Sequence, residues 1–301
     1  MAERDFIARL MRPLAGAPGR DLADDAAVWT PPLGRDLVLS HDTMVAGVHY
    51  LATDPADDVG WKLLAVNASD LAAMGATPAG VLLSCALSAH EDGAWQARFA
   101  RGLAQALEGF GLALWGGDTV SGVAAAVLGA TVIGHVPPGA ALARAGAKAG
   151  DGLFVSGTIG DAGLGLRMAR GEIAVHPGLL KRLRRPSPRL ALGQALRGRA
   201  SACMDVSDGL LIDASRLADA SGVGLAIDLD LLPLSPAARA HGLDPLTAAT
   251  SGDDYELLFT ATGEVEGATR IGTVEAAPGL RLTRSGAPVS LPATLGFEHP
   301  L

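Results

Sequence analysis

Six short aspartate motifs punctuate this chain: Asp24-Asp25, His41-Asp42, Asn67-Ala68-Ser69-Asp70, Gly116-Gly117-Asp118-Thr119, Asp205-Val206-Ser207-Asp208-Gly209 and Gly252-Asp253-Asp254-Tyr255-Glu256. Nearly all stand where an apolar, strand-like run meets a glycine, a serine or a turn. A fold that carries acids at so many element ends must pair them or give them a cation, because a buried, unpaired carboxylate is costly. Basic partners are scarce, since the chain has three lysines and the motifs have few basic neighbours. Oxygen-only ligands suit a hard cation such as Mg²⁺ rather than zinc. Mg²⁺ held by aspartates usually accompanies phosphates, so the pattern predicts phosphoryl-transfer chemistry.

Composition narrows the class. The chain has 301 residues, enough for one large domain or two ordinary ones, and 49% are hydrophobic, so a sizeable core is available. A net charge of −8 argues against a nucleic-acid binder, which would carry a basic patch. Aromatic residues, at 4%, are too few for single-strand stacking platforms. Cys85 and Cys203 lie far apart in apolar runs and read as reduced core residues. The N-terminus carries acids early and has no long apolar stretch, and the apolar run 123–133 is short and broken by glycine. The expectation is a soluble cytoplasmic protein with no membrane partner.

Periodicity gives the organisation. Residues 3–12 read as a short amphipathic helix, 59–74 and 94–110 as longer helices, 190–197 and 210–220 as further helices, and Gly157, Gly160, Gly163 and Gly165 as leading into another. Strands are expected at 37–40, 81–87, 113–115, 124–136, 152–156, 202–206, 225–229 and 257–260, and residues 26–28 are strand-like. Pro137-Pro138-Gly139 is the strongest boundary signal. The mixed order of strands and helices in both halves predicts an α/β and α+β chain of two domains, 1–137 and 138–301.

Each motif has a functional and a plain structural reading. At Asp205–Gly209, two carboxylates three residues apart can face cations across a turn, Ser207 can offer its hydroxyl or N–H to a phosphate, and the following helix N-terminus favours anions. The same residues also suit a simple helix N-cap. Asn67 and Asp70 share one helical face inside a nearly apolar segment, which weakens the alternative of a solvated stripe. Gly116-Gly117 allows close approach of backbone to a phosphate, or makes an ordinary turn. His41-Asp42 and Asp24-Asp25 read equally as a hydrogen-bonded pair and a solvated turn. No P-loop, protein-kinase signature or G-x-S-x-G is present, and the glycines of 157–165 have the wrong spacing for a dinucleotide loop.

Taken together, the segments 65–76, 116–119, 204–211 and 252–257 resemble the thiamine-monophosphate kinases, of the superfamily that includes aminoimidazole ribonucleotide synthetase and selenophosphate synthetase. The resemblance covers essentially the whole length. It implies a two-domain aminoimidazole ribonucleotide synthetase-like fold, with an N-terminal sheet domain that forms a homodimer and a C-terminal α+β domain completing the active-site cleft. It implies transfer of the ATP γ-phosphoryl group to thiamine monophosphate, giving thiamine diphosphate and ADP. Another ATP-dependent enzyme of the superfamily with a different acceptor, or a non-catalytic nucleotide or metal sensor on the same scaffold, are the competing readings.

Carried over residue by residue, the resemblance implies several Mg²⁺ ions held by Asp25, Ser40, His41, Asp42, Asp70, Asp118, Asp205 and Asp208, with Ser40 and His41 contributing as strand-end ligands. Gly117, Asp118, Arg144 and Ser207 would contact ATP; His49, Asp253 and Phe297 would hold the thiamine portion. No general base is expected, the chemistry being carried by metal-bound Asp42, Asp118 and Asp208. Three positions depart from the family pattern: Ala23 replaces a usual glycine, His41 a usual threonine and Asp253 a common glutamate.

Overall fold

The computed structural model describes residues 3–299. The chain divides into two compact units, one made of 1–71 and 76–139 and the other of 72–75 and 140–301.

The first unit begins with a helical turn α1 (Glu3–Phe6) that runs on as a wider π-turn to Met11, burying Phe6 and Met11. Then follow β1 (Asp36–Val45), α2 (Ala56–Ala73), β2 (Thr77–Leu87), α3 (Gly93–Phe110), β3 (Ala113–Ser121) and β4 (Val127–Val136). The strands form one sheet in the order β1-β4-β2-β3, antiparallel except for the parallel β2–β3 pair. Helix α3 is set by its ends. Asp92 caps the Trp95 N–H at 2.8 Å, and Gly111 closes it in the left-handed conformation at φ 67°. The α2–α3 crossing is close enough that a Cβ at Gly102 would stand 1.9 Å from the Asp57 carbonyl oxygen, so glycine is required there. Leu63, Leu71, Phe99 and Leu103 fill the core, each contributing roughly 2 kcal/mol by burial.

Two strands are longer than their local sequence suggests. β1 does not stop at Ser40 but carries His41 and Asp42 in its middle, because β4 pairs with it along its whole length, Asp36 to Val45. β3 does not end before Gly116, because β2 pairs with it as far as Ser121. Residues 26–28, in contrast, form no strand.

The second unit runs β5 (Gly152–Ser156), α4 (Asp161–Ala169), α5 (Pro177–Arg184), α6 (Leu190–Leu196), β6 (Ala200–Asp205), α7 (Leu210–Ser221), β7 (Gly224–Asp228), α8 (Pro236–Ala240), α9 (Pro245–Ala249), β8 (Leu257–Ala261), β9 (Ala268–Glu275), β10 (Gly279–Arg284) and β11 (Ala287–Val289). Its seven-stranded mixed sheet has the order β11-β10-β7-β9-β5-β8-β6. One core cluster joins Leu153, Val155, Leu258 and Ile227 to Leu164 of α4 and Leu210 and Leu217 of α7. A second holds Phe154 and Phe259, stacked 5.5 Å apart, with Leu142, Leu196, Ala72 and Ala73. Helices α5, α8 and α9 and strands β9–β11 have no counterpart in the sequence expectations. No helix among the described residues is long and apolar enough to cross a membrane.

Candidate active site

In the first unit, Gly116-Gly117-Asp118-Thr119 lies on the edge strand β3. The β2–β3 register steps from Val81–Leu114 to Leu82–Gly116, leaving Trp115 as a bulge. A Cβ at Gly117, where φ is 153°, would stand 2.0 Å from the Leu83 carbonyl oxygen, so only glycine lets the strands run this close. The N-terminal segment is clipped to the same strand, Gly16 N–H donating to Leu114 O at 2.8 Å. It then passes through three consecutive non-glycine residues with positive φ, Arg20, Asp21 and Leu22, directly before Asp24-Asp25. Such residues are held against a cost of order 1 kcal/mol or more each.

Between this segment and β3 lies a cavity of about 570 Å³, lined by Asp24, Asp25, Gly117, Asp118, Phe6 and Trp115 among others. Three residues assigned from sequence, Asp25, Gly117 and Asp118, therefore meet on one cavity. Asp24 at its edge pairs with Arg20 at 2.8 Å. The Trp115 indole N–H is buried without a partner among the described residues, its ring 4.9 Å from that of Trp29. Cys85 also lines the cavity, and burial pushes its thiol up to about 12, so it serves as an apolar wall rather than a nucleophile.

A second group in the same unit joins β1 to α2. Ser40 donates to Asp70 Oδ2 at 2.5 Å, and the Asp42 N–H donates to Asn67 Oδ1 at 2.9 Å. Asn67 is fully buried and donates back to Leu63 O, so its amide orientation is fixed. Strand alternation puts Ser40 and Asp42 on one face and His41 on the other. The His41 ring bonds Thr131 at 2.9 Å and Thr43 at 3.2 Å on that opposite face. His41 can thus serve the acids only through its backbone; its ring is not among them. His49 sits in the turn after β1, its Nδ1 accepting the Val45 N–H at 3.0 Å. The buried Lys62 ammonium donates to His49 O at 3.0 Å and holds that turn.

In the second unit the turn after β6 is a hub. Ser207 O accepts the Asp253 N–H at 2.8 Å, and Asp208 O accepts the Phe297 N–H at 2.9 Å. Ser207, Asp208, Asp253 and Phe297 are thereby brought together. Arg144 is not: its carbonyl accepts from Ser221 at the other end of α7. Asp205 ends β6, nearly buried.

The N–H groups expected to face an anion are already used. Asp213 Oδ2 accepts from Ser207, Asp208 and Gly209 at 3.1, 3.1 and 3.2 Å. Ser207 has its hydroxyl left to offer, and not its N–H. Burial pushes the Asp213 carboxyl up to about 6, against the opposing pull of Arg216. Arg216 Nη1 bonds Asp213 Oδ1 at 2.8 Å and Asp208 Oδ2 at 2.6 Å.

Asp253 and Tyr255 have positive φ, 68° and 50°, and this alternation turns their neighbours inward. Buried Asp254 accepts from Gly160 N–H at 2.7 Å and Ala162 N–H at 3.4 Å, capping α4, and burial pushes its carboxyl up to about 8. Buried Glu256 is gripped by Arg189 at 2.5 and 2.6 Å, by Arg182 at 2.7 Å and by Ser156 at 2.5 Å. Asp254 and Glu256 are therefore scaffold, while Asp253, bonded by the Tyr255 hydroxyl at 3.2 Å, is the member of the motif left at the hub.

Asp213, Arg216 and Lys62 were not anticipated from sequence. Their signal was a lone charge inside an apolar helical run, Leu210-Leu211-Ile212-Asp213 and Trp61-Lys62-Leu63.

Among the described residues, no three His, Cys, Asp or Glu side chains converge on a single point. Mg²⁺ does not need such a cage: one or two carboxylates suffice when substrate phosphates complete the shell. The hard-oxygen donors here, Asp25 and Asp118 on the cavity and Asp70 with Ser40 beside Asp42, fit that ion and offer no soft ligand for zinc.

Residues 23–136 match the family model described as AIR synthase related protein, N-terminal domain, and residues 148–285 match AIR synthase related protein, C-terminal domain. Fold and site together define a two-domain protein of the AIR synthase-related class. The chain is 45% identical over 295 residues to thiamine-monophosphate kinase of Caulobacter vibrioides, covering 94% of this chain and 83% of that protein. Among solved structures it is similar to thiamine-monophosphate kinase from Stenotrophomonas maltophilia K279a, with a TM-score of 0.83, 37% identity, and coverage of 95% of this chain and 98% of that one. It is also similar to AaThiL complexed with AMPPCP and TMP, with a TM-score of 0.80, 31% identity, and coverage of 98% and 96%. The chain belongs to the thiamine-monophosphate kinase family.

Proposed function

We propose that this chain transfers the γ-phosphoryl group of ATP to thiamine monophosphate, forming thiamine diphosphate and ADP. The observation that carries the reading is the convergence of Asp24, Asp25, Gly117 and Asp118 on one cavity of about 570 Å³, in a chain 45% identical to a thiamine-monophosphate kinase over 94% of its length.

The acceptor is a phosphate monoester with a second pKa near 6, so at pH 7 it is mostly dianionic and needs no general base. The difficulty is the approach of two polyanions. Mg²⁺, when bound with the nucleotide, would neutralise phosphate charge and favour in-line transfer. The chain's part is positioning. Gly117 lets the phosphate chain lie against β3, Asp25 and Asp118 face the cavity, and Ser40 and Asn67 hold Asp70 and Asp42 in place. His49, Asp253 and Phe297 are the residues we assign to thiamine monophosphate, the last two tied through their N–H groups to the Ser207–Asp208 turn. Arg144 and the Ser207 hydroxyl are assigned to ATP, and Asp205 and Asp208 to cation binding.

A homodimer is part of the same reading. Register places Leu37, Leu39, Leu82 and Val120 on one face of the first unit's sheet, and all four are exposed, Leu39 by 62%. An apolar face of this kind suits a second copy of the chain. A cytoplasmic setting is inferred as well, in keeping with two free, buried cysteines.

The test is ADP release from ATP and Mg²⁺, with and without thiamine monophosphate. Turnover that depends on thiamine monophosphate supports the proposal. Turnover indifferent to it overturns the acceptor assignment, and ATP binding without turnover overturns catalysis.

A further inference from the structure

Asp213 and Arg216 have no part in the reaction as read above, yet they are wired directly to Asp208. Asp213 is fully buried and fully committed. Its Oδ2 takes the three N–H groups of the turn, and its Oδ1 takes Arg216. The turn therefore has no N–H face left for a phosphate, and what it presents is its carboxylates. A single nitrogen of Arg216 bridges Asp213 and Asp208. The two acids differ in depth: the Asp213 side chain is 0% exposed and that of Asp208 is 29%, with Arg216 at 37%.

We propose that Arg216 is a placeholder cation for Asp208, which releases that carboxylate to the divalent cation of the nucleotide complex and stays anchored on Asp213. The inference rests on reading Asp208 as a cation ligand. The asymmetry makes the exchange inexpensive. When Asp208 turns away, Arg216 keeps its bond to the buried partner, and its freed N–H faces water, because the guanidinium is more than a third exposed. An exposed ion pair is weak enough to be displaced, whereas the buried Asp213–Arg216 contact resists separation. Without a placeholder, two carboxylates bonded through one nitrogen would face each other unscreened. Arg216 is thus a positioning residue, setting how much Mg²⁺ the site requires.

The test is thermal unfolding of the full chain, stripped of divalent ions, then titrated with Mg²⁺ in the presence of AMPPCP. Arg216→Gln is expected to melt below the wild type without Mg²⁺, and to reach half of its Mg²⁺-induced shift at a concentration lower by roughly two- to five-fold, the range expected of an exposed competing pair. Arg216→Lys, which keeps the charge but puts it on a compact, strongly hydrated ammonium without the fixed planar geometry of the guanidinium, is expected to move the midpoint the same way by less, and it serves alone if the glutamine variant does not fold. An unchanged or raised midpoint in both variants overturns the placeholder. Asp208→Asn separates the two layers of the argument. If it leaves the wild-type Mg²⁺ midpoint in place, the ligand reading of Asp208 falls and the placeholder with it. If it abolishes the shift while the Arg216 variants leave the midpoint unmoved, the placeholder alone falls.

Discussion

The acids of the two units begin from the same sequence pattern, an apolar run that ends in carboxylates, and end in opposite states. In the first unit Asp25 and Asp118 line a cavity, and among the described residues Asp118 bonds only its own neighbour's N–H at 3.0 Å. In the second unit Asp213, Asp254 and Glu256 are buried and saturated by backbone N–H groups or arginines. What separates them is not the motif but what the rest of the chain brings to it. The second unit supplies Arg182 and Arg189 to Glu256 from far back in the sequence, and Arg216 to Asp213 from one helical turn on, whereas the first unit's cavity receives glycine, tryptophan and the strained 20–22 segment. An aspartate left open is a candidate for ligands; an aspartate closed by arginine and N–H groups is framework.

The comparison breaks or holds first at Glu256. Removing its carboxylate leaves Arg182 and Arg189 without their buried partner, and breaking such a pair costs about 3–5 kcal/mol. Glu256→Ala is expected to lower stability by that amount in urea unfolding. A change under about 1 kcal/mol would show the ion pair to be replaceable by water, contrary to the framework reading.

Asp118→Asn is the counterpart. It is expected to leave urea unfolding essentially unchanged, since Asp118 is exposed and makes no tertiary bond among the described residues. It should reduce kcat/KM for ATP by about 10²–10³-fold, the scale seen when one electrostatic contribution to transition-state stabilisation, here a cation ligand, is removed. Loss of stability with activity retained would exchange the roles of the two regions.

How much of this was legible in the sequence follows the same divide. Helices α2 and α3 could be read because their signals are local: apolar residues at helical spacing in each and, for α3, a stop at Gly111. The ends of β1 and β3 could not, because β4 and β2, not local residues, decide where pairing stops. His41-Asp42 and Gly116–Thr119 therefore read as strand ends when they lie within strands, and His41 was grouped with acids from which strand alternation separates it. The site fared likewise. Cation chemistry was visible in Asp25, Asp118 and Asp208 as residue types. That Asp213 would occupy the N–H groups of Ser207–Gly209 depends on a helical turn folding back over its own start, which spacing alone does not announce.

Asp254 sharpens the framework side through pH. Its ordinary value of 3.8 rises to about 8 on burial, so the folded state holds the proton more tightly than the unfolded state. Stability from this group is full below 3.8 and is lost as pH climbs through about 8. The wild type is expected to weaken between about pH 5 and 8 by more than Asp254→Asn, whose side chain keeps an acceptor for the Gly160 N–H and has no proton to lose. Equal slopes for the two proteins in unfolding measured across that range would mean that Asp254 is ionised in the fold.

The smallest effect belongs to Trp115, and it probes the open side. Its indole N–H is the kind of group a finished core does not leave: buried, without a partner among the described residues, on the wall of the cavity. An unmade bond of this sort costs about 1–3 kcal/mol, a cost the fold recovers when a ligand accepts it. Trp115→Phe keeps an aromatic ring over Gly80 and removes the donor. Folding stability should hold or rise slightly, because the orphaned N–H is gone, while KM for ATP rises by roughly five-fold, the equivalent of about 1 kcal/mol. If stability rises and KM does not move, the N–H is an unpaired group of the framework, and the line between open and closed regions runs inside the cavity wall rather than around it.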